Sequence, residues 1–159
     1  MTDLTSDAFR KAMAHFATGV AVVTASSDEG EQGATISALS SVSLDPLTLL
    51  ICLNRRSATC RAIEQSQRFG LSILSNEQEG IARHFAMPSH AKSMDEHCVR
   101  HEDGTCFVRD ALVQIGVEVV ETLRGGTHEI FLARPVHITM NEDVEKPLLY
   151  YRGTFDLLA

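Results

Sequence analysis

Between Gly33 and Ser57 the chain reads GATISALSSVSLDPLTLLICLNRRS, and the residue types in it suit the binding of a flat, phosphorylated ligand. Thr35, Ser37, Ser40, Ser41 and Ser43 alternate with Ile36, Ala38, Leu39 and Val42, the pattern of a strand and turn with one hydroxyl-bearing side. Asn54, Arg55, Arg56 and Ser57 stand where an apolar strand ends and a helix begins. A helix start offers unpaired N–H groups and a positive dipole end, both suited to a phosphate. The same four residues also fit an ordinary N-cap beside two solvated arginines, and both readings stay open at this point.

Two further constellations carry chemistry. Gly125-Gly126-Thr127-His128-Glu129 is a glycine turn that delivers an imidazole to the mouth of a strand, where it can donate or accept hydrogen bonds near neutral pH. Tyr150-Tyr151-Arg152-Gly153 offers aromatic faces and a planar guanidinium for stacking or phosphate contact. His90, His97, Cys98, His101 and Cys106 have zinc-compatible side chains but lack any Cys-x-x-Cys or His-Glu-x-x-His spacing, so no metal is expected. No Gly-x-Ser-x-Gly elbow, Walker loop or Gly-x-Gly-x-x-Gly turn occurs, so a nucleotide must be held by some other fold.

The elements that must position these residues follow from periodicity. Ser6 is the expected cap of a first helix, in which Phe9, Ala12, Met13 and Phe16 share a face. Strands are predicted at Val20 to Thr24 and from Gly33, joined as a hairpin through Ser27 to Gly30. Leu47 to Leu53 is a continuous apolar run that predicts a central strand buried on both faces. Ser57 caps a helix from Ala58 to Gln65, Phe69 to Leu74 is a strand, and Ser75 to Gln78 is a capping box for a helix ending near Phe85. Met87 to Asp110 reads as a long irregular lid or dimer arm. Strands follow at Val113 to Val119, His128 to Met140 and Leu148 to Leu157. Six or more strands with three short helices, without regular strand-helix alternation, predict a mainly β barrel.

Length and charge agree with one compact domain spanning residues 1–159. The chain has 159 residues and 44% hydrophobic content, and its 21 acidic against 14 basic residues give a formal charge of −7. That charge offers no footprint for a nucleic acid. No apolar run approaches the ~18 residues of a membrane span, and the four cysteines are irregularly spaced, so a cytoplasmic protein with free thiols is expected.

The ordered set FRKAMAHFATGVAVVTA, GATISALSSVSLDP, LLICLNRRSAT, QEGIARHFA, GGTHEIF and PLLYYRGTF resembles the flavin reductase family, with its split β-barrel FMN-binding fold. Within it the likeness is to reductase components of 4-hydroxyphenylacetate monooxygenase type, which feed reduced flavin to a partner monooxygenase. The resemblance implies NAD(P)H:flavin oxidoreductase activity with FMN or FAD and NADH or NADPH, and a homodimer. It places Gly33, Ala34, Thr35, Ser37 and Ala38 along the isoalloxazine, and Cys52, Leu53 and Asn54 beside the ring and ribityl chain. Ser57, Ala58 and Thr59 would receive the phosphate, with Arg55 or Arg56 adding charge, and His84 and Phe85 would border the flavin. His128, as the catalytic residue, would face the nicotinamide, with Tyr151, Arg152 and Gly153 in the pyridine-nucleotide segment. Thr127 stands where the family more often has Asp, and the family's Phe/Trp segment is not recognisable between Met87 and Asp110. A flavin-binding electron-transfer or sensor module, and an FMN-containing reductase of a non-flavin acceptor, share the same pocket and remain alternatives.

Overall fold

The computed structural model describes residues 1–88 and 94–157. Its elements are α1 (Ser6–Met13), β1 (Thr18–Gly19), β2 (Ala21–Ser27), β3 (Gly30–Ile36), β4 (Leu39–Leu44), β5 (Leu47–Asn54), α2 (Ala58–Ser66), β6 (Arg68–Ile73), α3 (Glu79–Ala86), β7 (Cys98–Arg100), β8 (Cys106–Val108), β9 (Val113–Gly125), β10 (His128–Met140), β11 (Leu148–Tyr151) and β12 (Thr154–Leu157). The main sheet runs β3-β2-β6-β9-β10-β5-β4, all neighbours antiparallel, and is accompanied by the small sheets β1-β11-β12 and β7-β8. The edge strands β3 and β4 are consecutive in the chain and separated only by Ser37 and Ala38. The sheet must therefore curl until its edges approach each other there. The result is the expected mainly β architecture, a barrel split at that corner.

Two apolar clusters hold it together. Val23, Ile51, Phe69, Leu71, Val117 and Phe131 fill the inside of the curled sheet, where Cys60 and Ile63 of α2 join them. On the other face of β2, Val22 and Leu74 pack with Phe85 of α3, Val108 of β8 and Leu148 of β11. Burying each large apolar side chain contributes about 1.5–3 kcal/mol, so the helices are fixed mainly by these faces. Gly70 lets the β7-β8 hairpin approach, since a Cβ there would strike the Cys106 carbonyl, and the Thr24 hydroxyl donates to that same oxygen.

Several predicted boundaries shift. The cap of α1 is Thr5, whose Oγ1 accepts from Ala8 N at 3.1 Å, rather than Ser6. The Gln78 side chain reaches back to Ser75 N at 3.0 Å as a capping box requires, yet it also donates to Arg109 O, and α3 begins only at Glu79. The segment from Met87 to Asp110 is not irregular throughout, because β7 and β8 lie within it; His90 lies outside the described residues. β5 is next to the sheet edge and alternates in burial, with Leu49, Ile51 and Leu53 in the core and Leu50 and Cys52 half-buried. Its second apolar face is spent on a cleft. Among the described residues no helix is long and apolar enough to cross a membrane.

Candidate functional site

A cleft of about 950 Å³ opens between the split corner of the sheet and a roof made by α1, β1 and the β11-β12 turn. Its floor includes Ile36, Ser37, Ala38, Leu50 and Cys52; its roof includes Met13, Phe16, Thr18, Tyr150, Arg152 and Gly153. Alternation along β5 explains the floor, since Leu50 and Cys52 point away from the core that receives Ile51 and Leu53. Burial pushes the Cys52 thiol up, so this wall is uncharged at neutral pH. Size and apolar walls fit a ligand with a large flat ring.

The roof is fixed by the C-terminal hairpin. Arg152 and Gly153 both have positive φ, 51° and 83°, as a tight two-residue turn demands. Arg152 N donates to Ala14 O at 3.0 Å, fastening that turn to the end of α1, and Thr18 pairs with Tyr150 across β1 and β11. Arg10, Lys11 and Arg152 line the cleft, a local concentration of cations on a chain with net charge −7. Such a mouth attracts anions.

Beyond Cys52 the same face of β5 continues to Asn54, which lies opposite His128 of β10. This shelf carries the polar residues. Ser57 Oγ accepts from Cys60 N at 3.0 Å and so caps α2, as the sequence predicts, and Asn54 Oδ1 accepts from Arg56 N at 2.9 Å. The N–H groups of Ala58 and Thr59 belong to the first turn, where a helix offers no internal acceptor. Arg55 N donates to Thr127 O at 3.1 Å, which ties the start of α2 to the β9-β10 turn. Arg55 Nε is buried and has no partner among the described residues, an orphan donor beside the helix start. His128 Nδ1 lies 2.9 Å from Thr127 Oγ1, so the threonine hydroxyl orients the imidazole.

The structure thus brings Ser37, Ala38, Cys52, Arg152 and Gly153 to the cleft, and Asn54, Ser57, Ala58, Thr59 and His128 to or beneath the adjoining shelf. Thr59 and Leu53 are buried, the first in the first turn of α2 and the second in the core. Gly33, Ala34 and Thr35 sit farther along β3: Thr35 Oγ1 donates to Ala82 O at 2.6 Å, and a Cβ on Gly33 would come within 2.7 Å of the Phe85 ring. Gly33 and Thr35 thus seat α3, whose Phe85 is buried and whose His84 meets His97 with ring centroids 4.5 Å apart, while Ala34 packs against the core inside the curled sheet. Tyr150 lines the cleft, while Tyr151 stands edge-on to His15 at 6.5 Å.

Sequence reasoning overlooked Met13, Phe16, Thr18 and Leu50 as walls of the cleft. One signal for the first two was present in the apolar stripe of Phe9, Met13 and Phe16, although α1 ends at Met13 and Phe16 falls in the turn that follows it. Thr18 Oγ1 is buried without a partner among the described residues. Nothing in the sequence marks that hydroxyl.

An open-edged barrel whose flat apolar cleft adjoins a capped helix start and an oriented imidazole defines a class. Residues 13–159 match the model of the Flavin reductase like domain, and the chain belongs to that family. It is 40% identical over 147 residues to the reductase component of 4-nitrophenol 4-monooxygenase/4-nitrocatechol 2-monooxygenase from Rhodococcus opacus, a match covering 92% of this chain and 78% of that one. It is 31% identical over 156 residues to the 4-hydroxyphenylacetate 3-monooxygenase reductase component of Pseudomonas aeruginosa, covering 95% and 91%. Its fold is similar to that of the NADH:FAD oxidoreductase SgcE6 from Streptomyces globisporus C-1027, with a TM-score of 0.91 and 29% identity over 100% of this chain and 97% of that one.

Proposed function

We propose that this chain is an NADH-dependent flavin reductase that supplies reduced FMN or FAD to a partner monooxygenase, and that it acts as a cytoplasmic homodimer. The observation that carries the reading is the continuity of the apolar cleft with the polar shelf along one face of β5, from Leu50 and Cys52 to Asn54. Membership of the family and relatives named as monooxygenase reductase components support it. The nucleotide narrows to NADH, the donor in the name of the Streptomyces protein.

The residues fit a flavin. Leu50, Ala38 and Cys52 take the ring, the first turn of α2 takes the phosphate, and the orphaned Arg55 Nε supplies a donor to it. Bound together, the flavin and the nicotinamide carry the hydride chemistry themselves. The chain's task is then placement and exclusion of water. His128, held by Thr127, orients the nicotinamide from the shelf, while Arg152 on its rigid turn and Arg10 and Lys11 on α1 attract the nucleotide's phosphates. No side chain is asked to move a proton.

The homodimer is supported by apolar surface left outside both cores. Phe9, Met13 and Phe16 are 62%, 52% and 72% exposed, and Leu44, Leu47, Val120, Val136, Ile138 and Met140 are also exposed on the β4-β5 turn and the long β9-β10 arm. Free thiols at all four cysteines agree with a reducing compartment. Oxidation of NADH and NADPH, followed with added FMN, FAD and riboflavin, tests the activity. Turnover that scales with added flavin and prefers NADH is expected. Absence of turnover with every flavin would refute the reading.

A further inference from the structure

We propose that His101, Asp103 and His137 form a binding site for one divalent transition-metal ion of the zinc class, clasping the 101–104 turn onto β10. None of the three lines the cleft, and they come from segments more than thirty residues apart in the chain. One potential ligand atom from each lies within 4.8 Å of the others. His101 Nδ1 and Asp103 Oδ1 are 3.6 Å apart. That is long for a hydrogen bond but close to the roughly 3.4 Å between neighbouring ligands of a tetrahedral ion with ~2.1 Å bonds.

The second observation concerns His137. Its ring lies over Gly116, where any Cβ would collide with it, and the β-bulge between Pro135 and His137 aims it there. The His101 ring stacks on it, with centroids 4.3 Å apart and planes 14° from parallel, and Phe107 stands edge-on to it at 5.4 Å. Within this box His137 Nε2 is buried with no partner among the described residues. A buried orphan nitrogen is costly and rarely left unused.

Asp103 is already set as a ligand would be. Its Oδ1 accepts from Thr105 N at 2.9 Å, and Arg68 holds Oδ2 at 2.6 Å. One lone pair of Oδ1 remains for the ion, and the two neighbours orient the group as outer-shell partners do. Two imidazoles and one carboxylate favour zinc, cobalt or ferrous iron over calcium or magnesium, and three protein ligands leave a position for water. His101 is exposed, so its ring is free to turn out of the stack and admit the ion.

The test uses full-length protein treated with a chelator, titrated with zinc by calorimetry and with cobalt by absorption. One equivalent should bind and raise Tm. His101→Ala and Asp103→Asn should each weaken zinc binding at least tenfold and abolish the Tm rise, with metal-free Tm unchanged. Should His101→Ala fail to fold, Asp103→Asn, at the exposed turn, carries the test alone. Failure of the wild-type chain to bind zinc, binding unaltered in the variants, or a thiolate charge-transfer band from cobalt would each overturn the proposal.

Discussion

Replacing Ser57 by Asp separates the phosphate pocket from the helix that builds it. Ser57 Oγ caps α2 by accepting from Cys60 N at 3.0 Å, and Asp is an equally good N-cap, so the fold should be unaffected. What changes is one negative charge placed at the first turn, where the flavin phosphate is proposed to sit. Two unit charges at ~4 Å interact by about 1 kcal/mol in bulk water and about 4 kcal/mol near a protein surface. The shelf is open to solvent at Asn54 and Arg56 and carries neighbouring arginines, which places the repulsion toward the lower part of that range. A loss of about 1.4–2.8 kcal/mol corresponds to a Kd for FMN raised about 10- to 100-fold. Fluorescence titration of wild-type and Ser57→Asp protein with FMN and with riboflavin measures it. Riboflavin lacks the phosphate, so its affinity should change less than twofold. Equal weakening of both flavins, or unaltered FMN affinity with Tm preserved, would refute the placement of the phosphate.

Three other outcomes follow from the geometry. His128→Ala removes one oriented hydrogen-bonding group worth about 1–1.5 kcal/mol, so KM for NADH should rise about 5- to 10-fold while FMN affinity stays within twofold; matched losses for both ligands in steady-state kinetics and titration would count against it. Gly33→Ala presses a methyl group to 2.7 Å from the Phe85 ring, an overpacking cost of about 1–3 kcal/mol that should lower Tm by several degrees and be recovered in part by adding Phe85→Leu. Burial pushes the Cys60 thiol up to about 11 and raises that of Cys52 as well. At pH 8 Cys60 should therefore resist iodoacetamide in the native protein, while Cys52, half-buried in the cleft, should react slowly and be protected by bound flavin, as peptide mass mapping would show.

Much of the architecture was legible because local chemistry decides it. Ser57 as a cap and the alternation of Val113 to Val119 need only near neighbours to be read, and the glycine turn ahead of His128 was legible too, although it is made by Gly126 and Thr127 while Gly125 still belongs to β9. The role of the Leu47 to Leu53 run was not, because an apolar wall facing a cleft and one facing a core are the same residues until the sheet curls. The stripe of Phe9, Met13 and Phe16 showed a helix but not its destination, and no pattern says that this face lies outside both cores. Gly33 and Thr35 invite a binding role by composition, yet in the fold they hold α3 through Phe85 and Ala82. Tyr150 and Tyr151 are adjacent, and only the pairing of Thr18 with Tyr150 decides which of them turns toward the cleft. His137 lay in an ordinary strand until the bulge beside it and Gly116 beneath it gave it a setting.

In the proposed function, flavin passes through this cleft as a substrate reduced by NADH. Anaerobic mixing of a catalytic amount of the protein with NADH and a large molar excess of FMN tests it most directly, with loss of oxidised-flavin absorbance as the signal. Bleaching of many equivalents per chain, proportional to added FMN, is the expected result. Bleaching that stops at one equivalent, or none beyond the protein-free control, would contradict it.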